Sequence, residues 1–528
     1  MSNTNNTILH NVVPVATAIP AFVGYTQHTA INGVSVLQKA IQINSLAEFY
    51  SLFGSEPPSS KFKLELTPAN LDVQLADGNS YILEVENGYS RLFGAIQLFY
   101  ANGGLTCIVV SVDDYNSKPD PVVLKTGLDV LLQEKEPTII VIPDAADLVD
   151  ESILSNTANY MANKYQPAYD LQSEMITHCG EKTQSRFAIL DIPNGFKEPT
   201  NNTTQSIDAF RDNVTSVLAI SNSYAAAYYP WLETSIFKKK AITHLNISDA
   251  ALVKLNTILR IELAAALDPA IDTHGKLDVL ISYLTKTAFK STASTAIQYA
   301  LLTPENQEKE QANASKALLA LSVSYSKILD VILKKFNLMA PSAAIAGVYT
   351  SVDTQRGVWK APANVFLQKV IAPSITVNKE TQEYLNVSNS GKSICAIRFF
   401  SAKGTCVWGA RTLEGNSNEW RYVSVRRTII FIEQSIALAL KPFALEPNDA
   451  NTWVQIKAMV ENFLLGIWRE GGLMGAKPSV AFAVTIGLGS SMTANDLQLG
   501  VLRIYVSVAL IRPAEFHVIT LTQKMAAP

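Results

Sequence analysis

Five short apolar runs set the terms for what this chain can become. AFVGYT at 21–26, CIVVSV at 107–112, TIIVIP at 138–143, FAILDI at 187–192 and AAAYYPWL at 225–232 are apolar on both sides of the backbone. A strand with one wet face alternates polar and apolar residues, whereas a strand covered on both faces reads as an unbroken apolar run. Between the runs lie stretches with helical spacing, near Leu46–Phe53, near Tyr89–Ala101, around Asn156–Lys164 and around Ile207–Leu218. Strands alternating with helices predict an α/β fold, with helices layered over both faces of a largely parallel sheet.

That alternation stops at about Ile236. Leu252, Leu255, Leu259 and Leu263, then Leu318, Leu321, Tyr325, Ile328 and Ile332, recur three and four apart, so residues 236–340 read as a helical insertion. Its most polar part, TPENQEKEQAN at 303–313, reads as a solvent-facing loop or helix start. Sheet-forming sequence is expected to resume from Ala343, through GVYTSVD, SICAIRFF at 393–400 and TCVWGA at 405–410. The α/β domain is thus interrupted and resumed, and the class is mixed α/β and α+β with several domains.

The last quarter predicts a strand at RYVSV 421–425, a helix over about Thr428–Leu440, and a second helix over about Asn451–Arg469. Asp449 or Asn451 can cap the second helix, and Gly471 and Gly472 end it. Trp453, Ile456, Val460, Phe463 and Ile467 form its core stripe; Lys457, Glu461, Leu464 and Trp468 form a neighbouring stripe that could touch a second partner. Strands follow at VAFAVTIGL 480–488 and LRIYVSVALI 502–511, where Leu502, Ile504, Val506, Val508 and Leu510 share one face. The two ends look like arms. Residues 1–18 hold Ile8 to Val15, with Pro14 and Pro20 excluding a helix, and Phe516–Gln523 reads as one more strand beyond Pro513.

Composition narrows the function. With 528 residues the prior is three or four domains. Lys and Arg number 43 against 46 Asp and Glu, a balance of −3 that points to neither nucleic acid nor an anionic membrane. Charged residues are 17% of the chain, below the usual ~25%, while apolar residues reach 48%. A shortage of solvated surface favours a subunit that hides area against other chains. The first 38 residues hold no Asp, Glu, Lys or Arg, so the basic start of a secretory signal is missing and a reducing cytoplasm is expected. No run of about 18 unbroken apolar residues predicts a membrane helix. Cys107, Cys179, Cys395 and Cys406 lack CxxC spacing, and the six histidines form no HExxH, so neither disulfides nor zinc are expected.

Few motifs invite chemistry. Gly391-Lys392-Ser393 ends NVSNSGKS as a phosphate loop would, but Asn386 stands where the first glycine belongs, and a strand-like run follows instead of a helix. GLGSS at 487–491 reads as a loop after a strand, and Lys238-Lys239-Lys240 as a solvated edge. His178-Cys179 sets a base beside a nucleophile in sequence, with no orienting acid implied. Arg426-Arg427 could pair with acids inside the domain or across a subunit boundary.

Longer segments carry a resemblance. PSAAIAGVYTSVDTQRGVWKAPAN at 341–364, VWGARTLEGNSNEWRYVSVRRTIIFIEQS at 407–435, FALEPNDANTWVQIK at 443–457 and RPAEFHVI at 512–519 resemble contractile tail sheath proteins. VATAIPAFVGYT at 15–26, SLAEFYSLFG at 45–54, FYANGGLTCIVVSV at 99–112 and RFAILDIPNG at 186–195 match in the same order. The likeness is strongest to the antifeeding-prophage type of extracellular contractile injection system. It covers most of the chain outside the insertion, and the proline-glycine-valine-tyrosine opening common in sheaths is missing.

The resemblance implies a non-enzymatic subunit without cofactors, a helical homopolymer of stacked hexameric rings around an inner tube. Its other partners would be baseplate and tail-terminator proteins, with no nucleic acid and no membrane insertion. Assembly would take place in the bacterial cytoplasm, followed by release in a phage-tail-like particle. The implied layout is a linking arm at 1–20, a sheath domain at 21–235 resumed at 341–410, an outward insertion at 236–340, a tube-facing domain at 411–512, and a second arm at 513–528. Ile8, Val12, Val13, Phe516, Val518, Ile519, Thr520 and Leu521 are the candidate strands donated between subunits. Lys457, Glu461, Leu464, Trp468 and Arg469 are the candidate tube contacts. A nucleotide-dependent α/β enzyme is the alternative, and a tube or spike component is a third reading that the chain's length disfavours.

Overall fold

The computed structural model describes residues 11–513 apart from 59, 68–71, 87–89, 154–158, 198–204, 265–302 and 387–389. The apolar runs become neighbours in one nine-stranded sheet. Its order is Val365–Phe366, Gly404–Val407, Ile394–Phe400, Ala225–Tyr229, Phe187–Asp191, Ile139–Val141, Pro20–Thr26, Cys107–Asp114 and Ala40–Ile43. Six consecutive strands, from Ile394–Phe400 to Cys107–Asp114, are mutually parallel, with registers such as Phe22↔Val109, Ala188↔Ala225 and Ala227↔Ile394. Antiparallel strands close both margins.

Every residue of Pro20–Thr26 is buried, because consecutive side chains enter different cores. Phe22, Val109, Val141 and Ile189 face one apolar cluster. Ala21, Val23, Ile108, Val110, Ile140 and Leu190 face the other. Strands from both sides of the helical stretch share this sheet.

Two expected strands are helices. GVYTSVD lies in the helix Ser342–Arg356, where tertiary packing overrides β-branched propensity. Ala343 to Tyr349 are all buried there, and a Cβ on Gly347 would lie 2.5 Å from the carbonyl oxygen of Phe99, so a second helix crosses at that point. RYVSV contributes only a bridge from Tyr422 to Arg411 before the helix Val423–Leu440 begins. That helix continues to Leu445 as a run long and apolar enough to cross a membrane. Its first half nevertheless packs into the sheet's cores through Val423 and Ile430, and its second half enters a separate cluster through Phe431, Ile432 and Ile436.

The helical stretch is not a unit by itself. Its helices Asp249–Ala264, Pro304–Leu321 and Val323–Asn337 combine with an unanticipated three-stranded sheet, Phe62–Leu66, Ser80–Val85 and Val73–Gln74. Phe62 meets Phe336 at 5.9 Å, Lys335 pairs with Asp72 at 2.9 Å, and the Ala76 amide donates to Ser324 Oγ at 3.2 Å. TPENQEKEQAN opens the helix Pro304–Leu321, with Thr303 as its cap.

Beyond the second half of Val423–Leu440 come the helix Ala450–Arg469 and a two-stranded antiparallel sheet, Phe482–Ile486 with Ile504–Val508. Asp449 caps the helix by accepting the Thr452 amide at 3.0 Å, and Gly471 follows it at φ +76°, a conformation that favours glycine. The buried face is Thr452, Ile456, Met459, Val460, Leu464 and Ile467, displaced from the expected stripe toward Leu464.

Candidate functional site

In an open parallel sheet, ligands bind beyond the carboxyl ends of strands where the winding direction reverses. Here Pro20–Thr26 is flanked by Cys107–Asp114 on one side and Ile139–Val141 on the other, so the crevice lies at Gly24 and Asp144. The chain fills it. Asp144 is fully buried and accepts the Arg91 amide at 2.7 Å, at the start of the helix Leu92–Ala101, where a ligand anion would sit. A Cβ on Gly24 would lie only 2.9 Å from Asp144 Oδ2.

Burial pushes the Asp144 carboxyl up to about 7, and Asp191, which accepts the Ser342 amide at 2.9 Å, is pushed up to about 7 for the same reason. The guanidinium beside them is committed elsewhere. Arg91 binds Asp147 through both carboxylate oxygens at 2.5 and 3.1 Å, donates to the Leu338 carbonyl at 2.6 Å, and lies 4.9 Å from the Trp231 ring centre.

The other chemical candidates are absorbed into packing. Lys392 Nζ donates to the carbonyls of Arg211 and, at 2.6 Å, of Val214, capping the end of the helix Gln205–Asn213, while Ser393 Oγ donates to the Asn386 carbonyl at 2.7 Å. Two of that lysine's three N–H donors are thus committed to backbone carbonyls. His178 is buried, with Nε2 2.6 Å from an Arg186 guanidinium nitrogen. Burial and that cation push it down to about 3, and burial pushes Cys179 up to about 12, so near neutral pH the pair holds neither an imidazolium nor a thiolate. Gly487-to-Ser491 is a turn closed by the Gly487 amide donating to Ser491 Oγ at 3.1 Å. Lys239 pairs with Asp330 at 2.7 Å. Among the described residues no group of His, Cys, Asp and Glu could hold a metal ion.

What stays open is strand edge. Phe482↔Val508, Val484↔Val506 and Ile486↔Ile504 form the C-terminal hairpin, and no other strand among the described residues joins it. Its inward side chains rest on the cluster beneath the helix Ala450–Arg469, while Tyr505 is 57% exposed on the outer face. A two-stranded sheet is marginal alone, and its edges offer unpaired N–H and C=O groups.

The first and last described segments both meet this module. Residues 11–19 run from the sheet to this C-terminal module, with Val12 and Val15 packed on its cluster and Val13 69% exposed. The Val15 amide donates to Ser435 Oγ at 3.1 Å, and the Ile19 amide to Thr138 Oγ1 at 2.8 Å. Ile8, Phe516, Val518, Ile519, Thr520 and Leu521 lie outside the described residues.

The proposed tube contacts separate. Lys457 and Glu461 form a surface pair at 3.9 Å, and Arg469 is exposed. Trp468 is half-buried and donates its indole N–H to the Gly475 carbonyl at 2.9 Å. Leu464, at 0% exposure, is a core residue instead of a contact, because the helix turns its buried face further round than the spacing suggests. Arg426 and Arg427 choose partners within the chain. Arg426 stacks 3.6 Å from the Trp420 ring centre and 4.2 Å from that of Tyr224, and Arg427 pairs with Asp353.

Known structures share this arrangement. The chain superposes on the sheath of the extracellular contractile injection system PVC in its contracted state, with TM-score 0.58, 24% identity, and coverage of 99% of this chain and 96% of that one. The contracted anti-feeding prophage baseplate gives TM-score 0.60 at 23% identity over 99% and 97% of the two chains. For the contracted anti-feeding prophage helical sheath the values are 0.55, 23%, 98% and 96%. No curated protein sequence matches. The fold is therefore that of the sheath subunits of contractile injection systems. Within it, residues 416–524 match the family model of the phage tail sheath C-terminal domain.

Proposed function

We propose that the chain is the structural subunit of a contractile sheath, polymerised as stacked hexameric rings around an inner tube. The carrying observation is the two-stranded hairpin Phe482–Ile486/Ile504–Val508, which stands apart from the nine-stranded sheet and is joined by no other strand among the described residues. An arm from a neighbour would add a strand to that edge, main-chain hydrogen bonds supplying affinity and alternate side chains supplying register. A six-residue strand forms about four to six such bonds, each worth ~0.5–1.5 kcal/mol net. A subunit linked at both ends gains further from high effective concentration, so the mesh persists while domain faces slide.

Contraction is then a switch between two packings of the same subunits, the extended one held by tube and baseplate and the contracted one lower in free energy. The layout follows the arms, interrupted sheath domain, outward helical stretch and tube-facing C-terminal domain described above, with the tube meeting Lys457, Glu461, Trp468 and Arg469. Assembly takes place in the bacterial cytoplasm, and baseplate and terminator proteins close the two ends before the particle is released. No covalent step belongs to this role.

Deleting residues 514–528 tests it. The truncated chain should remain folded and soluble and form no tubes under negative-stain microscopy, whereas normal striated tubes would refute the arm model.

A further inference from the structure

Two segments distant in sequence converge on Arg427 and its helix. Its guanidinium donates to Asp353 Oδ1 at 3.0 Å and Oδ2 at 2.7 Å, on the helix Ser342–Arg356, and to the Thr17 carbonyl at 2.9 Å. It also lies 4.6 Å from the Tyr349 ring centre. Both charged side chains are nearly sealed, at 3% and 4% exposure. A forked cation satisfied on several sides at once fixes relative orientation in a way that a single-point lysine cannot.

The surroundings show why this matters. Residues 11–19 enter the C-terminal module through Val12 and Val15, yet beside them lies a groove of about 720 Å³, bounded by Val15, Ile19, Pro137, Arg186, Gln434 and Leu438. Apolar packing under this segment is incomplete, so its attachment relies on polar bonds at Ser435, Thr138 and Arg427. Of these three, only Arg427 also ties the segment to the helix Ser342–Arg356, which lies against the main sheet.

We infer that Arg427 is a positioning residue that locks the N-terminal segment, the helix Val423–Leu440 and the sheet body into one unit, so that tension on the N-terminal arm reaches the body without peeling the segment away. The mechanical part of this statement rests on the sheath reading. Its structural part does not.

Hydrogen exchange on the full-length chain tests the lock. In the double variant R427M/D353L, which leaves no buried charge unpaired, the amides of Val15 and Ile19 should exchange at least tenfold faster, while those of Phe187–Asp191 stay as protected as in the parent. R426Q, which disturbs the stack on Trp420 and Tyr224 and the bonds to Ser223 and the Tyr224 hydroxyl, should leave Val15 and Ile19 unchanged. Should the double variant fail to fold, R427K serves, retaining the charge but losing the fork, with at least threefold acceleration expected. Exchange at Val15 and Ile19 within twofold of the parent in a folded variant would overturn the lock, as would equal acceleration in R426Q. If the unmodified chain never polymerises, the sheath reading fails while the exchange result still decides the lock.

Discussion

The strands Pro20–Thr26 and Ile504–Val508 are both short and apolar, and they have opposite fates. The first has a strand on each side and a core on each face, and all of its residues are buried. Among the described residues the second has one strand partner, one covered face and alternate residues turned outward. Burial on both faces makes a strand a private part of its own fold. A strand covered on one face and paired on one edge keeps an edge that can accept a further strand, so the first region carries stability and the second is the one to which the proposed function gives association.

Substitution by aspartate should separate the two roles most sharply. Val109→Asp places an unpaired charge in the apolar cluster on one face of the sheet, at 0% exposure, and should prevent folding, costing ~4 kcal/mol or more, seen as loss of soluble protein and of the cooperative melt. Val506→Asp, on the half-buried hairpin, should leave a folded monomer that forms no tubes. A folded Val109→Asp chain, or tubes from Val506→Asp, would break the comparison.

Acidity gives the next effect, confined to the sheet body. Asp144 and Asp191 are each raised from 3.8 to about 7, so the folded state holds protons that the unfolded chain releases. Their contribution is fully present below about pH 4 and is lost as pH rises through about 7. On the order of 4 kcal/mol per carboxyl is the upper bound. Paired denaturant titrations at pH 5 and pH 8 should show D144N/D191N losing less stability than the parent across that interval.

Lys392→Ala removes a cation from the end of Gln205–Asn213 and should cost ~1 kcal/mol in urea titrations, with no ATP binding by calorimetry before or after the change. Weakest of all, Lys457→Ala should alter chain stability by less than about 0.5 kcal/mol, since it breaks one exposed pair. Impaired co-assembly with the tube at unchanged stability would sharpen the comparison, placing the tube against this face.

The sheet body was legible because a strand buried on both faces must be apolar throughout, a signal that survives without knowledge of its neighbours. GVYTSVD and RYVSV misled because their β-branched residues reflect burial within a crowded contact and not extended backbone. The sheet of Phe62–Leu66, Val73–Gln74 and Ser80–Val85 left only a weak trace: FKLEL and SYILEV do alternate, but their partners are helices some two hundred residues away. Leu464 went astray for a smaller reason, a rotation of the buried arc that the side chains of Ala450–Arg469 alone do not fix. In the association surface, the inward face of Ile504–Val508 could be read from its period of two, whereas the convergence on Arg427 could not, because pairing between positions 17, 353 and 427 exists only in three dimensions.

The interlocking of Phe62–Val85 with the helices from Asp249 to Asn337 limits how such a chain can be re-engineered. Excising 236–340 as a single cassette would strip the cover from Phe62, Leu64 and Leu83 and leave an adhesive apolar sheet on the body. Grafting a foreign decoration onto this scaffold therefore calls for exchanging both pieces together, or for inserting the new sequence while leaving both in place.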